Sequence, residues 1–413
     1  MLAAMPPNSS KPRNGGESHI QDTPVRERGD ACPGALRLHR ADDGGLARLR
    51  LPTGVLTSAQ LAVLADAADR LGDGRLGVTS RGNLDLRGLG DGCGAELAEA
   101  LSLAGLLPSA AHERVRNMVV SPLAGLDGQA HGDAQAWARE LDALLCAEAW
   151  TTALSGRFLF VVDDGRRDVA GLGGDVTLLA EPEGRALVRI GGRALRVRAA
   201  DAPRAALAAA EAFLAAVREA GTGAWRVAEL PEGRVVDVAG YLERAGVPAE
   251  PADTSDAPEP SGGVAPGPGV IGDGRAVSVV APLGRVTSDQ FRALAPGPDG
   301  EVRVTPWRGF VVTGLSGRAA ARERLAALDE AGYLTRTGSP WLAVTACTGR
   351  PGCAKSLADV RADARPTEHG LPVHWSGCER RCGHPRGDWV DALATGDGAY
   401  DFHVITVRDD AQR

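Results

Sequence analysis

The sequence predicts an α+β protein built on two pseudo-symmetric ferredoxin-like halves with further α/β layers, and three observations predict it. A segment near the N-terminus is echoed in the second half of the chain; within each copy the apolar period switches between two and about 3.6 at turn residues; and a stretch rich in Pro, Gly and acids parts the copies. The 413 residues exceed the usual size of one hydrophobic core, so several packed units are expected.

Residues 1–33 open with Pro-Pro-Asn-Ser-Ser-Lys-Pro-Arg-Asn-Gly-Gly, a disordered composition without the charged start, apolar run and cleavage site of a secretory signal. A cytoplasmic protein is expected. The first copy, 34–109, holds Leu-Pro-Thr-Gly-Val-Leu-Thr-Ser-Ala-Gln (51–60), and the second, 271–335, holds Ala-Pro-Leu-Gly-Arg-Val-Thr-Ser-Asp-Gln (281–290). Pro, Gly, Thr-Ser and Gln agree in register. Downstream, Asp-Gly-Arg-Leu-Gly-Val-Thr (73–79) answers Asp-Gly-Glu-Val-Arg-Val-Thr (299–305). Each copy reads strand, Thr-Ser helix cap, helix, Asp-Gly turn, strand, tight turn, strand, helix, which is a split-βαβ unit.

Between the copies, 110–245 reads as a separate α/β layer with helix Ala134–Ala147, strand Phe158–Val162, strands near 176–198 and helix Ala202–Glu219. Residues 246–270 read as a flexible linker because Pro248 to Pro268 is rich in Pro, Gly, Ser and acids. Its end, Gly-Pro-Gly-Val-Ile-Gly (267–272), has dinucleotide-fingerprint spacing but no strand before it and no helix start after it. Reducing equivalents are therefore expected from an external electron donor.

The net charge of −7 comes from interspersed acids and bases, which leaves no basic stripe for nucleic acid and no polybasic patch for a membrane surface. No run of eighteen apolar residues predicts a membrane span. Only Lys11 and Lys355 are lysines; the arginine preference follows base composition, yet the planar guanidinium also suits a carboxylate-rich ligand.

Four of the seven cysteines fall in 336–413, as Cys347 and Cys353 with five residues between them and Cys378 and Cys382 with three. Reduced thiols clustered in this way suggest metal ligation rather than disulfides. Two loops delivering two thiolates each, with Gly349, Gly352, Gly377 and Gly383 beside them, suit a [4Fe–4S] cluster. Structural zinc favours shorter pairs, so the five-residue gap with a proline inside it weighs against zinc; zinc and unligated thiols remain the alternatives. Cys32, Cys93 and Cys146 stand singly and are given no role.

Cys-x5-Cys followed by Cys-x3-Cys resembles the sirohaem and iron–sulfur nitrite and sulfite reductase superfamily. Within it, residues 72–84, Thr-Pro-Trp-Arg-Gly (305–309) and His-Trp-Ser-Gly-Cys…Cys-Gly-His-Pro (374–385) resemble the precorrin-3B synthases of aerobic cobalamin biosynthesis. The likeness spans about residues 34–405 and implies the pseudo-twofold plan of that superfamily. It implies a [4Fe–4S] cluster on Cys347, Cys353, Cys378 and Cys382, a mononuclear non-haem iron, a tetrapyrrole substrate, dioxygen, and hydroxylation of precorrin-3A at C20 with closure of a γ-lactone.

By the same resemblance Arg81, followed by Asn83, and Arg116, followed by Asn117, face the tetrapyrrole, with Arg81 and Arg116 in catalytic roles. Arg157 and Arg308 join them on its carboxylates. His374, His384 and His403 are weighed as iron ligands. Two departures stand out. Leu159 replaces the second lysine of a reductase Arg-Lys-Phe-Lys pattern, which removes charge that a small oxyanion needs and favours an organic substrate. Arg381 stands where relatives carry glycine, which puts a side chain into a tight loop. The alternatives are a sirohaem-dependent nitrite or sulfite reductase and a non-catalytic electron-transfer or tetrapyrrole-binding module.

Overall fold

The computed structural model describes residues 30, 32–253, 264–368 and 370–406. The first copy supplies β1 (His39–Ala41), β2 (Gly44–Leu49), β3 (Val55–Leu56), α1 (Ser58–Leu71), β4 (Arg75–Val78), β5 (Leu84–Leu89) and α2 (Cys93–Leu103). The region that follows supplies β6 (Met118–Val120), α3 (Ala134–Ala147), β7 (Phe160–Asp163), β8 (Val176–Glu181), β9 (Arg185–Ile190), β10 (Arg193–Arg198), α4 (Ala202–Glu219), α5 (Val238–Arg244) and β11 (Glu250–Ala252). The second copy supplies β12 (Gly269–Ile271), β13 (Ala276–Val280), β14 (Arg285–Thr287), α6 (Ser288–Ala293), β15 (Val302–Val304), β16 (Gly309–Val312) and α7 (Arg318–Glu330). The chain ends in β17 (Val344–Ala346), α8 (Val360–Asp363), β18 (Val373–Ser376), β19 (Trp389–Gly396) and β20 (Ala399–Ile405).

The sequence echo has a local physical cause. Thr57 and Thr287 each cap a helix, and Gln60 and Gln290 answer from the third helical position, so both copies carry a full capping box. Each glutamine also reaches the end of the copy's second helix: Gln60 Nε2 donates to Ala104 O at 3.0 Å, and Gln290 Nε2 to Ala331 O at 2.9 Å. One Thr-Ser-x-Gln motif thus closes one helix start and one helix end.

The copies do not form separate sheets. β3 leaves its own copy to pair with β15 of the second, and β14 pairs with β4 of the first. The resulting sheet orders, β1-β2-β5-β4-β14 and β12-β13-β16-β15-β3, mirror one another. A single apolar core runs through both, joining Leu56, Leu64 and Leu76 to Val286, Phe291 and Phe310. Burial of these side chains, about 1.5–3 kcal/mol each, is therefore shared between the halves.

The intervening sheet runs β11-β10-β9-β8-β7-β6, parallel through β6, β7 and β8 and antiparallel beyond. α3 and α4 fall on the predicted residues, and the alanine-rich face of α4 lets it lie close against β8 and β9. β7 begins at Phe160, two residues later than the sequence pattern suggests. Glu250–Ala252, inside the stretch read as a flexible linker, pairs with β10 as an edge strand, where Pro251 is tolerated because one side of the strand faces outward. Residues 254–263 of that stretch lie outside the described residues. So does most of the segment read as disordered, 1–29 and Ala31; Asp30 is buried and accepts from Ser155 Oγ and Gly156 N.

The last sheet, β17-β18-β19-β20, has three parallel strands and one antiparallel. Its cysteines follow the carboxyl ends of β17 and β18, the edge of a parallel sheet where ligand sites form. Among the described residues no helix is long and apolar enough to cross a membrane.

Candidate functional site

The two copies present equivalent turns. Thr79 Oγ1 accepts from the amides of Arg81 and Asn83, and Thr305 Oγ1 accepts from those of Trp307 and Gly309. Thr79 N donates to Asn83 O and Thr305 N to Gly309 O, at 2.8 and 2.9 Å. Superposing the motifs sets Arg308 where the first copy has Gly82, and both adopt left-handed φ, +62° and +64°. A non-glycine residue held there costs about 1 kcal/mol and marks a position kept for its side chain. Gly284 makes the room, since a Cβ there would meet Arg308 Cδ at 2.6 Å.

Both turns open into a cavity of about 750 Å³ at the junction of all four units. Arg87, Arg226 and Arg285 line it with their charge already matched by Asp43, Asp175 and Asp73. Arg81, Arg308, Arg361 and Arg386 line it with no ion pair among the described residues. The Arg81 guanidinium donates to Arg157 O at 3.3 Å, that of Arg308 to Gly383 O at 3.4 Å, and that of Arg361 to the carbonyls of Cys347 and Leu283. Burial lowers the pKa of Arg81 and Arg308, and burial with Arg285 and Arg308 nearby brings Arg361 down to about 10. All three still carry charge at neutral pH. Part of the lining is apolar, made by the clustered side chains of Val119, Leu159, Leu172 and Trp307.

The cysteine loops adjoin this cavity through Ala346, Thr348 and Gly383. Cys347 N donates to Trp375 O, and Leu357 N, beyond Cys353, donates to Gly377 O, so the two loops are tied together. Gly377 N donates to Cys347 Sγ at 3.2 Å, and the Gly349 amide also supports that sulfur. Burial, with Cys382 and Cys378 close by, nonetheless raises the Cys347 thiol above its ordinary pKa. Four thiols on two glycine-bearing loops, with amides already aimed at one sulfur, fit a [4Fe–4S] cluster.

Arg381 acquires an explanation. Its φ is +48°, the left-handed region that favours glycine, and its Nε donates to Asp391 on β19. Asp391 is fully buried and also accepts from Ser376 Oγ at 2.6 Å. The guanidinium therefore neutralises a carboxylate beneath the Cys382 loop. Arg381→Ala is expected to cost about 3 kcal/mol in urea unfolding, the scale for stranding one member of a buried pair, and an unchanged midpoint would refute the role.

Other expected site residues lie elsewhere. Arg116 is clamped to Asp142 by two bonds of 2.7 and 2.6 Å and to Leu106 O, and it does not line the cavity; it ties α3 to the first copy. Asn83 is fully buried, accepting from Leu51 N and donating to Asn117, so it joins units rather than facing a ligand. The Arg157 side chain lies over Trp225 at 5.0 Å and pairs with Glu229 on a neighbouring groove; only its carbonyl meets Arg81. His384 lines the cavity, stacked on Trp389 at 5.1 Å. His374 is buried below it, with Nδ1 2.7 Å from Thr345 Oγ1, and burial plus Arg308 and His384 bring its pKa down to about 3. His403 is exposed on β20.

The three histidines do not converge. Among the described residues, the trio of ligating side chains whose atoms approach within 4.8 Å is Asp163, Asp164 and Asp168, of which the first two are otherwise engaged. Asp163 accepts four backbone amides, and Arg166 binds Asp164 and Asp127. Sequence reasoning missed Asp85, Arg87, Arg226, Arg285, Arg361 and Arg386. For Asp85 and Arg87 a signal existed: they sit two apart on β5 and share one face.

Residues 39–102 match the family model of the nitrite/sulfite reductase ferredoxin-like half domain. The chain is 29% identical to a precorrin-3B synthase of Sinorhizobium sp over 86% of its own length and 78% of the relative's. It is 27% identical to a ferredoxin–nitrite reductase of Synechococcus elongatus over 83% and 74% of the two chains. The Mycobacterium tuberculosis NirA structure shares the fold, with a TM-score of 0.60 at 20% identity over 87% of this chain and 73% of that one. The chain thus matches a nitrite/sulfite reductase ferredoxin-like half domain in its first copy and is similar over most of its length to a precorrin-3B synthase and to ferredoxin–nitrite reductases.

Proposed function

We propose that the chain is a precorrin-3B synthase, hydroxylating precorrin-3A at C20 with dioxygen and closing a γ-lactone from the ring A acetate. The observation that carries this reading is the cavity's two-sided chemistry. Arg81, Arg308, Arg361 and Arg386 form no ion pair among the described residues, and they share the cavity with Val119, Leu159, Leu172 and Trp307. A tetrapyrrole has the matching form, an apolar macrocycle rimmed by carboxylates, and bidentate guanidinium pairing would orient it. Leu159, 2% exposed, stands where a small oxyanion would call for another cation.

Bound at Cys347, Cys353, Cys378 and Cys382, a [4Fe–4S] cluster would supply electrons one at a time beside the cavity, delivered by an external donor. A mononuclear iron finds no facial ligand set among the described residues: His384 and Asp85 are the one imidazole and the one carboxyl on the cavity wall. The protein's own part is to hold the carboxylates with arginines, seat the macrocycle against Leu159 and Trp307, and keep water from the apolar side.

The test incubates anaerobically purified, cluster-loaded protein with precorrin-3A, dioxygen and a reductant. A product heavier by one oxygen atom is expected. No conversion, together with sirohaem's Soret and red absorption bands and turnover of nitrite or sulfite, would replace this reading with a reductase.

A further inference from the structure

The cavity holds one carboxyl among its arginines, and it is not hydrogen-bonded or ion-paired to any of them. Asp85 lies on β5 directly across from Gly77 on β4, and a Cβ at Gly77 would collide with its Oδ1. The absence of a side chain at Gly77 is what lets the carboxyl lie over β4 and reach the cavity wall. Among the described residues it has no hydrogen bond and no ion pair. The charged groups that face it are Arg48, Arg87, Arg285 and Arg361. Arg87 and Arg285 are held by Asp43 and Asp73, and Arg361 by two carbonyls.

We infer that Asp85 is the proton-transfer group of the cavity, carrying protons from solvent to the oxygen that leaves as water. The inference rests on the proposed hydroxylation, whose balance demands such a group. One atom of dioxygen enters the substrate and the other becomes water, which takes up two electrons and two protons per turnover. The electrons come singly from the external donor. Guanidinium groups do not release protons at neutral pH, which leaves Asp85 and His384 on the wall, and His384 Nδ1 is already engaged with Pro385 O at 2.9 Å. Asp85 in its acid form gives one proton to the departing oxygen, becomes a carboxylate that the surrounding arginines stabilise, and is reprotonated from solvent before giving the second.

The environment suits that cycle from both sides. Burial raises the Asp85 pKa above the ordinary carboxyl value, while Arg48, Arg87, Arg285 and Arg361 oppose the rise. A carboxyl so balanced holds a proton longer than a surface aspartate and still gives it up. A polycarboxylate bound to the arginines cancels part of their opposing field, so substrate binding itself drives protonation of Asp85.

The experiment uses the full-length, cluster-loaded protein, with Asp85→Asn and Asp85→Glu beside the wild type. Calorimetric titration with uroporphyrin, an octacarboxylate porphyrin, in buffers of different ionisation enthalpy reads the protons taken up on binding. The wild type is expected to take up close to one near neutral pH, Asp85→Glu to retain the uptake, and Asp85→Asn to lose it while binding as tightly or more tightly. With precorrin-3A, Asp85→Asn is expected to lower kcat about 100-fold or more with KM changed little, the scale of general acid catalysis. Iron content and thermal midpoint of the variant serve as the folding control. Porphyrin binding without proton uptake, or Asp85→Asn turnover within about threefold of wild type, overturns the assignment of Asp85 alone. Failure of the wild type to bind the porphyrin at all overturns the tetrapyrrole reading and this inference with it.

Discussion

Cys347→Ser is expected to yield protein with almost no iron where the wild type, purified anaerobically, carries about four irons per chain. Cys347 is half-buried and firmly placed: it leaves β17 directly, its amide is fixed to Trp375 O, and its sulfur accepts from Gly377 N. A cluster anchored there bridges two loops that otherwise touch through few bonds, such as Leu357 N to Gly377 O. Because no preformed site exists in the unfolded chain, the free energy of ligation is folding free energy, so the variant should also unfold several kcal/mol sooner than the loaded wild type. Cys93→Ala, on α2 and remote from the loops, should change neither quantity. Full iron content in Cys347→Ser, or zinc in place of iron in the wild type, would refute the cluster.

How much of this was legible in the sequence follows from the range of each interaction. The duplicated halves were readable because Thr57 with Gln60 and Thr287 with Gln290 form local capping boxes that leave the same four-residue trace. The exchange of β3 and β14 between halves was not, since pairing across more than two hundred residues leaves no period in either copy. Pro251 hid β11 inside a composition that ordinarily marks a linker. Among the arginines the limit is sharper. Arg116 and Arg81 look alike in sequence, but Arg116 meets Asp142, 26 residues away, and is neutralised, while Arg81 finds only a carbonyl. Whether a cation is free or spent depends on tertiary partners, and so does the gathering of Arg285 and Arg361 from different units into one wall.

The same distinction makes Arg308→Gly an informative change, because it is expected to separate binding from stability. Arg308 is held in a left-handed conformation that its counterpart in the first copy, Gly82, adopts without cost, and among the described residues its side chain's one hydrogen bond reaches Gly383 O at a marginal 3.4 Å. Removing it relieves about 1 kcal/mol of backbone strain and a desolvated cation, against a similar entropic loss from placing glycine in the unfolded chain. The urea midpoint should therefore hold or rise. Affinity for an octacarboxylate porphyrin should fall about tenfold to a hundredfold, the scale of one hydrogen bond to a charged group inside a site. Binding should also become less sensitive to salt, as one charge of the wall is gone. Fluorescence quenching of the porphyrin and urea unfolding measure the two responses on the same sample. A variant that loses stability and keeps its affinity would show that Arg308 serves the turn between β15 and β16 rather than a ligand, and the cavity's charge would then have to be read from Arg81 and Arg361 alone.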